Sequence, residues 1–362
     1  MDIIGLIHLD QRTMDRAVLP ISCSGVGLTS AANVAQSAYL ACAAATINAQ
    51  HEILTRTPSV DVVEVSFTTL IDSYEPVIES FNSSNNSVHT LLDLASLPKI
   101  QQLLSLKVHK LKLASHLLTP GIDPREVLMI NSSQVQSGQF LHFPELGAFL
   151  QNESFVCCVR FRLCMPMFRV PCVCPLCGKH SDVYGDHVTG CTGEGARTKR
   201  HDLTKFAFFL LCREASLTPV LEPKNLLLNG DSPADVLLPK GSKGKPSAID
   251  FTIVSALNGP LESILANAEA AKRYQYQLPC DEVGIEFIPF AMTSTGGFGA
   301  AAKECINSVA TLLSASRKLP KSVCVNRVCS VLSLEVQRAQ ANAWLQVGSI
   351  LEAAGDNGLS WL

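Results

Sequence analysis

Alanine and leucine recur at helical spacing within residues 1 to about 60, notably from Ala31-Ala32-Asn33-Val34-Ala35 to Tyr39-Leu40-Ala41-Cys42, behind the turn-rich Ser22-Cys23-Ser24-Gly25-Val26-Gly27. A loop feeding a helix is the expected structure. Residues 61 to 168 alternate amphipathic runs (Leu91-Leu92-Asp93-Leu94-Ala95; Ile100-Gln101-Gln102-Leu103-Leu104) with the polar loop Asn82-Ser83-Ser84-Asn85-Asn86-Ser87, which predicts a mostly helical region. Between Val170 and Gly195 the apolar runs are too short and too polar to build a core of their own. Beyond them the pattern predicts a helix over about 196 to 216, short apolar strands between 218 and 290, and helices to the C-terminus. Overall this is an α+β chain with a helical N-terminal half.

Composition narrows the picture. With 362 residues, 47% apolar and only 17% charged, the chain has enough hydrophobic material for two or three folded units and is not organised as disorder or collagen. The net charge of -3 excludes a global basic field, so any nucleic-acid contact must use local patches. Met1 to Asp10 has no basic start and no apolar run of signal-peptide length, and Phe206-Ala207-Phe208-Phe209-Leu210-Leu211-Cys212 falls far short of the roughly 20 residues of a membrane span. An intracellular protein without a membrane partner is expected, its 14 cysteines kept reduced.

In such a compartment close cysteine spacing points to metal. Cys174-Pro175-Leu176-Cys177 is followed by His187 and Cys191, a C-x2-C-x9-H-x3-C pattern that can close a tetrahedron around Zn2+. Metal binding would supply the folding energy that the coreless segment lacks. His180 or Cys172 can replace one ligand in this reading, whereas Cys157, Cys158 and Cys164 read as buried thiols.

Two carboxylates stand in apolar runs. Ser232-Pro233-Ala234-Asp235-Val236-Leu237-Leu238 and Ala248-Ile249-Asp250-Phe251-Thr252-Ile253-Val254 read as strands joined by the basic loop from Pro239 to Pro246. A hairpin centred near Ser242 places Asp235 opposite Asp250, where two like charges call for a shared hard cation such as Mg2+ or Mn2+; a strand-capping role for one of them is the alternative. The next helix, about Leu261 to Gln277, carries an apolar stripe of Leu261, Leu265 and Ala268 that continues to Lys272 and Tyr276. Lys272 on that stripe needs a partner, and the acids are the obvious one; a lysine snorkelling past the helix end is the alternative. Two acids for a metal and a lysine to stabilise charge make a phosphodiester-hydrolysis constellation.

The helix that begins at Arg197 places Leu203, Ala207, Leu210 and Glu214 on one face, making Glu214 either a candidate third acid, in competition with Glu222, or a solvated residue of the helix C-terminus. Arg197, Lys199 and Arg200, with Lys240, Lys243 and Lys245, are candidate phosphate contacts, and His201 is a candidate assistant. Thr295-Gly296-Gly297-Phe298-Gly299 can offer amides to a phosphate or serve as a plain strand-to-helix turn.

The order of these features, zinc knuckle, Arg200-His201-Asp202, Pro233-Ala234-Asp235, Asp250, then Lys272 and Tyr276, resembles the C-terminal region of non-LTR retrotransposon polyproteins that carry a restriction-like endonuclease. In that family the catalytic lysine has moved from the strand to the following helix; here Thr252 occupies the strand position and Lys272 the helix position, while Ala234 splits the family's Pro-Asp pair. The segment Val18 to Ser30, with Ala38-Tyr39-Leu40-Ala41, is similar to the reverse-transcriptase thumb, its Gly-Gly-Leu-Gly replaced by Ser24-Gly25-Val26-Gly27. The resemblance implies a thumb-like segment at 1–60, a helical linker region at 61–168, a zinc knuckle at 169–195, an α/β PD-(D/E)XK endonuclease domain with a mixed sheet at 196–310, and C-terminal helices at 311–362. It implies a nuclear, Mg2+- or Mn2+-dependent DNA endonuclease with a structural Zn2+, from a truncated or domesticated element. Asp235, Asp250, Lys272, His201 and Glu214 would be catalytic, and Arg197, Lys199, Arg200, Lys243, Lys245 and Tyr276 would meet DNA or RNA. No Tyr-x-Asp-Asp occurs, so no reverse transcription is expected. A catalytically inactive nucleic-acid-binding zinc protein left by decay of such an element is the alternative.

Overall fold

The computed structural model describes residues 9–28, 31–55, 79, 96–133, 135–141, 150–241, 244–355 and 358–360. The amphipathic run at 91–95, the polar loop at 82–87, and Ser242 and Lys243 lie outside the described residues. The chain forms two compact units, Met14–Ile122 and a second made of Met1–Thr13 with Asp123–Leu362. Helix α1 (Gln11–Ala17) carries the boundary.

In the smaller unit the turn at Ser22–Gly27 feeds helix α2 (Ala31–Thr55), as the alanine spacing predicts. Helix α3 (Ile100–Leu117) packs on it, and the Ser37 and Ser105 hydroxyls meet at 2.8 Å.

The larger unit is α+β with a mixed sheet. Helix α4 (Pro124–Asn131) begins with proline at its first position, and the Asp123 carboxylate accepts from the Arg125 N–H, satisfying a donor that the helix start leaves open. Helix α5 (Asn152–Arg162) follows, then a two-stranded hairpin, β1 (Cys172–Val173) and β2 (His180–Ser181), and the short helix α6 (Asp186–Gly190). Helix α7 (Ala196–Glu214) leads into β3 (Val220–Leu221), β4 (Val236–Leu238) and β5 (Ser247–Val254). Helix α8 (Leu261–Glu282) crosses to β6 (Glu286–Thr293), and α9 (Ala300–Arg317) and α10 (Lys321–Ala353) close the chain.

The four-stranded sheet runs β3-β4-β5-β6, antiparallel except for the parallel β5–β6 pair, which α8 connects as parallel strands require. Alternation along the strands splits two cores. Ile249, Phe251, Phe290 and Met292 pack toward α7, α9 and α10, with the Phe251 and Phe290 rings 4.4 Å apart. Ala248, Phe287 and Ala291 turn the other way, toward Cys280, Leu261 and Leu265 of α8.

The C-terminal helix is a spine. Cys324, Val328, Leu332 and Val336 of α10 belong to the sheet core, while Trp344, Val347 and Leu351 belong to a second core with Phe161, Phe168, Cys174 and Val188. The expected divisions at 169, 196 and 311 therefore fall inside one compact unit. The segment expected to lack a core shares this one, because Trp344 donates to the Gly185 carbonyl at 3.0 Å. Gly185 sits at φ +70°, and a Cβ there would lie 2.8 Å from Trp344 Nε1.

Candidate functional site

The Cys-Pro-Leu-Cys turn closes the β1–β2 hairpin: Gly178, at φ +73°, donates its N–H to the Cys174 carbonyl at 2.8 Å, and Cys174 N–H donates to the Lys179 carbonyl at 2.8 Å. Helix α6 brings His187, and Cys191 follows it. The three sulfurs and one ring nitrogen all lie within 4.8 Å of one another. Cys174 Sγ and Cys191 Sγ are 3.9 Å apart, and Cys177 Sγ and His187 Nε2 are 3.0 Å apart. A tetrahedron with metal–sulfur bonds of ~2.3 Å has an edge of about 3.8 Å, so this Cys3His donor set fits a metal such as zinc. Neither Cys172 nor His180 belongs to the group; both sit on hairpin strands. Asp186, next to His187, takes a forked contact from Arg125, with Nη2 at 2.6 Å from Oδ1 and Nε at 2.7 Å from Oδ2, which fixes the start of α6.

The second cluster assembles from four elements. The β4–β5 register pairs Val236 with Ile249, Leu237 with Ala248 and Leu238 with Ser247 and ends there: Asp235 donates its N–H to the Ile249 carbonyl at 2.9 Å, which places it beside Ile249 instead of squarely across from Asp250, where the hairpin reading expects it. Asp235, just before β4, accepts from the Phe251 N–H at 2.6 Å and lies 3.1 Å from His201 Nε2 of α7. Asp250 is buried in β5, and Lys272 of α8 reaches both its oxygens, at 3.1 and 2.8 Å. Burial pushes the Asp250 carboxyl up, opposed by the Lys272 contact and reinforced by the Asp235 charge. The ion contact at Oδ2 is off hydrogen-bond geometry, so Asp250 Oδ2 and Thr252 Oγ1, two residues apart on one face of β5, are buried oxygens without a hydrogen-bond partner among the described residues. The stripe on α8 is as its helical period predicts: Leu261 and Leu265 are buried, and Tyr276 packs its ring 5.7 Å from Phe287 and 5.7 Å from Lys272 Nζ.

His201 lies between two carboxylates, with Asp202 Oδ1 3.2 Å from Nδ1. The bond to Asp235 raises its pKa in spite of burial. One turn on, Lys205 is buried and donates to Asp202 at 3.0 Å and Glu222 at 2.5 Å; against burial, Glu222 and Asp202 hold its pKa up. Glu222 in turn donates its N–H to the Asp235 carbonyl. Lys205 escaped the sequence reading, although its four-residue spacing from His201 puts both on one helix face.

Other expected residues are placed elsewhere. Glu214 stands thirteen residues beyond His201 on α7, about 20 Å along the axis at 1.5 Å per residue, and two arginines hold it, Arg317 at 2.7 Å and Arg327 at 3.0 Å. It is not a third acid of the cluster. Of the α7 face expected from Leu203, Ala207, Leu210 and Glu214, Leu203 and Leu210 are exposed while Ala207 is buried; the inward side is rotated to include Thr204, Phe208 and Leu211, because the helix packs on α10 as well as the sheet. That rotation buries Arg200, which donates to Gln340 Oε1 at 2.5 Å and is unavailable to a phosphate. Burial lowers its pKa to about 10. Arg197, Lys199, Lys240 and Lys245 are exposed. The Gly296–Gly299 turn is buried, its amides spent on Thr293 and Ala291, and it serves as the strand-to-helix turn.

No family model and no curated protein matches the chain.

Proposed function

We propose that residues 196–310 form a metal-dependent DNA endonuclease of the PD-(D/E)XK type, and that the chain derives from the C-terminal region of a non-LTR retrotransposon polyprotein. One observation carries the reading: Lys272, supplied by the helix after β5, contacts Asp250 at 2.8 Å, and the next residue of that strand, Phe251, donates its N–H to the Asp235 carboxylate at 2.6 Å. Helix α7 ahead of a mixed sheet, with α8 following β5, supports it, because the resemblance implies a helix, a mixed sheet and a lysine on the helix after the second acid's strand.

The donor set fits a hard cation. Asp235 and Asp250 offer carboxylate oxygens, and Asp250 Oδ2, held by Lys272 through an ion contact alone, shares one face of β5 with Thr252 Oγ1. Mg2+ or Mn2+ bound there would lower the pKa of a coordinated water and neutralise phosphate charge. The protein's own contribution is positioning and charge. Lys272 places an ammonium beside Asp250, where negative charge would build on the scissile phosphate. His201, between two carboxylates, orients Asp235 and can pass a proton at Nε2. Asp202, Lys205 and Glu222 brace His201 and the start of β4. Arg197, Lys199 and Lys245 would contact the phosphate backbone without reading sequence. The Cys3His centre anchors the chain that enters α7, so its role in this reading is to hold His201 in place, with Zn2+ as the structural ion.

Nicking of supercoiled plasmid with Mg2+ or Mn2+ tests the proposal, comparing wild type with Asp235→Ala and Lys272→Ala. Relaxation by wild type alone is expected. If none of the three relaxes the plasmid and wild type shifts DNA in a salt-dependent way, the chain is a binding protein and the endonuclease reading is wrong.

A further inference from the structure

Glu269 lies in the third turn of α8, between Leu265 and Lys272, and is only 9% exposed. Its Oε1 accepts from the Ala301 N–H at 3.1 Å, at the second residue of α9. Gly299 makes the approach feasible: a Cβ there would lie 2.1 Å from Oε1. Burial pushes the Glu269 carboxyl up while the Ala301 bond opposes it, and Arg273, Lys303 and Glu304 are the charges that reach it. The carboxylate occupies the open Ala301 amide at the positive end of α9, where the Gly-rich turn would otherwise have left it for an anion.

An apolar side chain would fill this space without the cost of burying an acid. What the glutamate adds is a link of fixed length between two helices. Helix α9 packs on β6 and α10, so it is a stationary reference for α8. Residues three apart on a helix share a face, and a rotation of α8 that freed Glu269 from Ala301 would also carry Lys272 away from Asp250. We infer that Glu269 is a positioning residue that sets Lys272 on Asp250 by tying α8 to the first turn of α9. Its catalytic consequence rests on the endonuclease reading; its mechanical consequence does not.

The test uses the full chain with Glu269→Ala, Glu269→Asp and Glu269→Gln. Glutamine keeps an acceptor oxygen at the same reach, whereas aspartate is one methylene short. Limiting acetic anhydride followed by mass spectrometry reads the accessibility of Lys272 against exposed Lys199. Labelling of Lys272 rises about fivefold in the alanine and aspartate variants and stays within about twofold of wild type in the glutamine variant. In plasmid nicking, kcat falls about tenfold in Glu269→Ala and Glu269→Asp with KM nearly unchanged, and Glu269→Gln restores it. A carboxylate that only stabilised the fold would lower Tm while leaving the labelling ratio and kcat unchanged, and that result overturns the inference. If wild type fails to nick DNA, the endonuclease reading falls by itself, and the labelling ratio still decides whether Glu269 positions Lys272.

Discussion

Lys272 Nζ lies 2.8 Å from Asp250 Oδ2, although the two residues are 22 positions apart and belong to a helix and a strand. The lysine is 29% and the aspartate 13% exposed at the side chain, so the pair is only partly screened. Removing one partner strands the other. Lys272→Met is expected to destabilise the protein by about 1–3 kcal/mol, and the double variant Lys272→Met/Asp250→Asn by less than the sum of the singles. Urea unfolding of the four proteins measures the coupling; additive values would show that the contact carries no energy.

Asp250→Asn keeps the strand's shape and removes an ionised group whose burial is unfavourable. Tm should fall modestly in metal-free buffer, because Lys272 loses its carboxylate partner, while nicking falls at least about 10²-fold, since an amide oxygen is a poor partner for a hard cation. Retained activity in this variant would show that the metal site is elsewhere.

His201 gives the metal-free protein a pH signature. Its folded pKa is raised by the Asp235 contact, so the stability it contributes is complete below the ordinary histidine value near 6.5 and is lost as pH rises through the raised value. Thermal melts without added Mg2+ or Mn2+, with the Cys3His metal left in place, at pH 5.5 and 8.5 should show wild type losing more stability across that window than His201→Gln. Equal losses in the two proteins would contradict the assignment.

Chelation should act beyond the cysteine segment. Cys174 and Cys191 are buried in the core that holds Phe161, Phe168 and Trp344, and the chain runs from Cys191 directly into α7. Hydrogen exchange after metal removal is therefore expected to accelerate first at residues 170–195 and then in the opening turns of α7, with a loss of several kcal/mol on Cys174→Ser. Unchanged protection at 170–195 would rule out a structural metal.

Gly185→Ala should cost about 2–4 kcal/mol, because it combines a left-handed backbone with a Cβ pressed on the Trp344 indole. Equilibrium unfolding checks it. A cost below 1 kcal/mol would mean that α6 can shift away from α10.

Much of the candidate site was legible because its signals are short-range. The loop between Asp235 and Asp250 is short enough that the two apolar runs pair as neighbouring strands, and a period of 3.6 carries the stripe from Leu261 to Lys272 without knowledge of the rest of the chain. Cysteine spacing named all four members of the Cys3His group for the same reason. The misreadings involve partners far away in sequence. Glu214 meets Arg327 across 113 positions and Arg200 meets Gln340 across 140, and neither contact leaves a trace in the local pattern.

Helix α7 shows where local reading stops. Apolar residues lie nearly all round it, so Leu203 and Leu210 offered as plausible an inner face as Phe208 and Leu211. The choice fell to α10, which packs against it and turns Arg200 inward and His201 toward Asp235. By itself the sequence determined the α+β class, the hairpin that brings two acids onto neighbouring strands, the lysine on the following helix and the Cys3His donor set, because each depends on a repeat or spacing within a few tens of residues. Only the tertiary structure decided which charges are spent on the fold and which remain at the site. Burial, which sets the cost of leaving a charge unpaired, depends on every element packed around it.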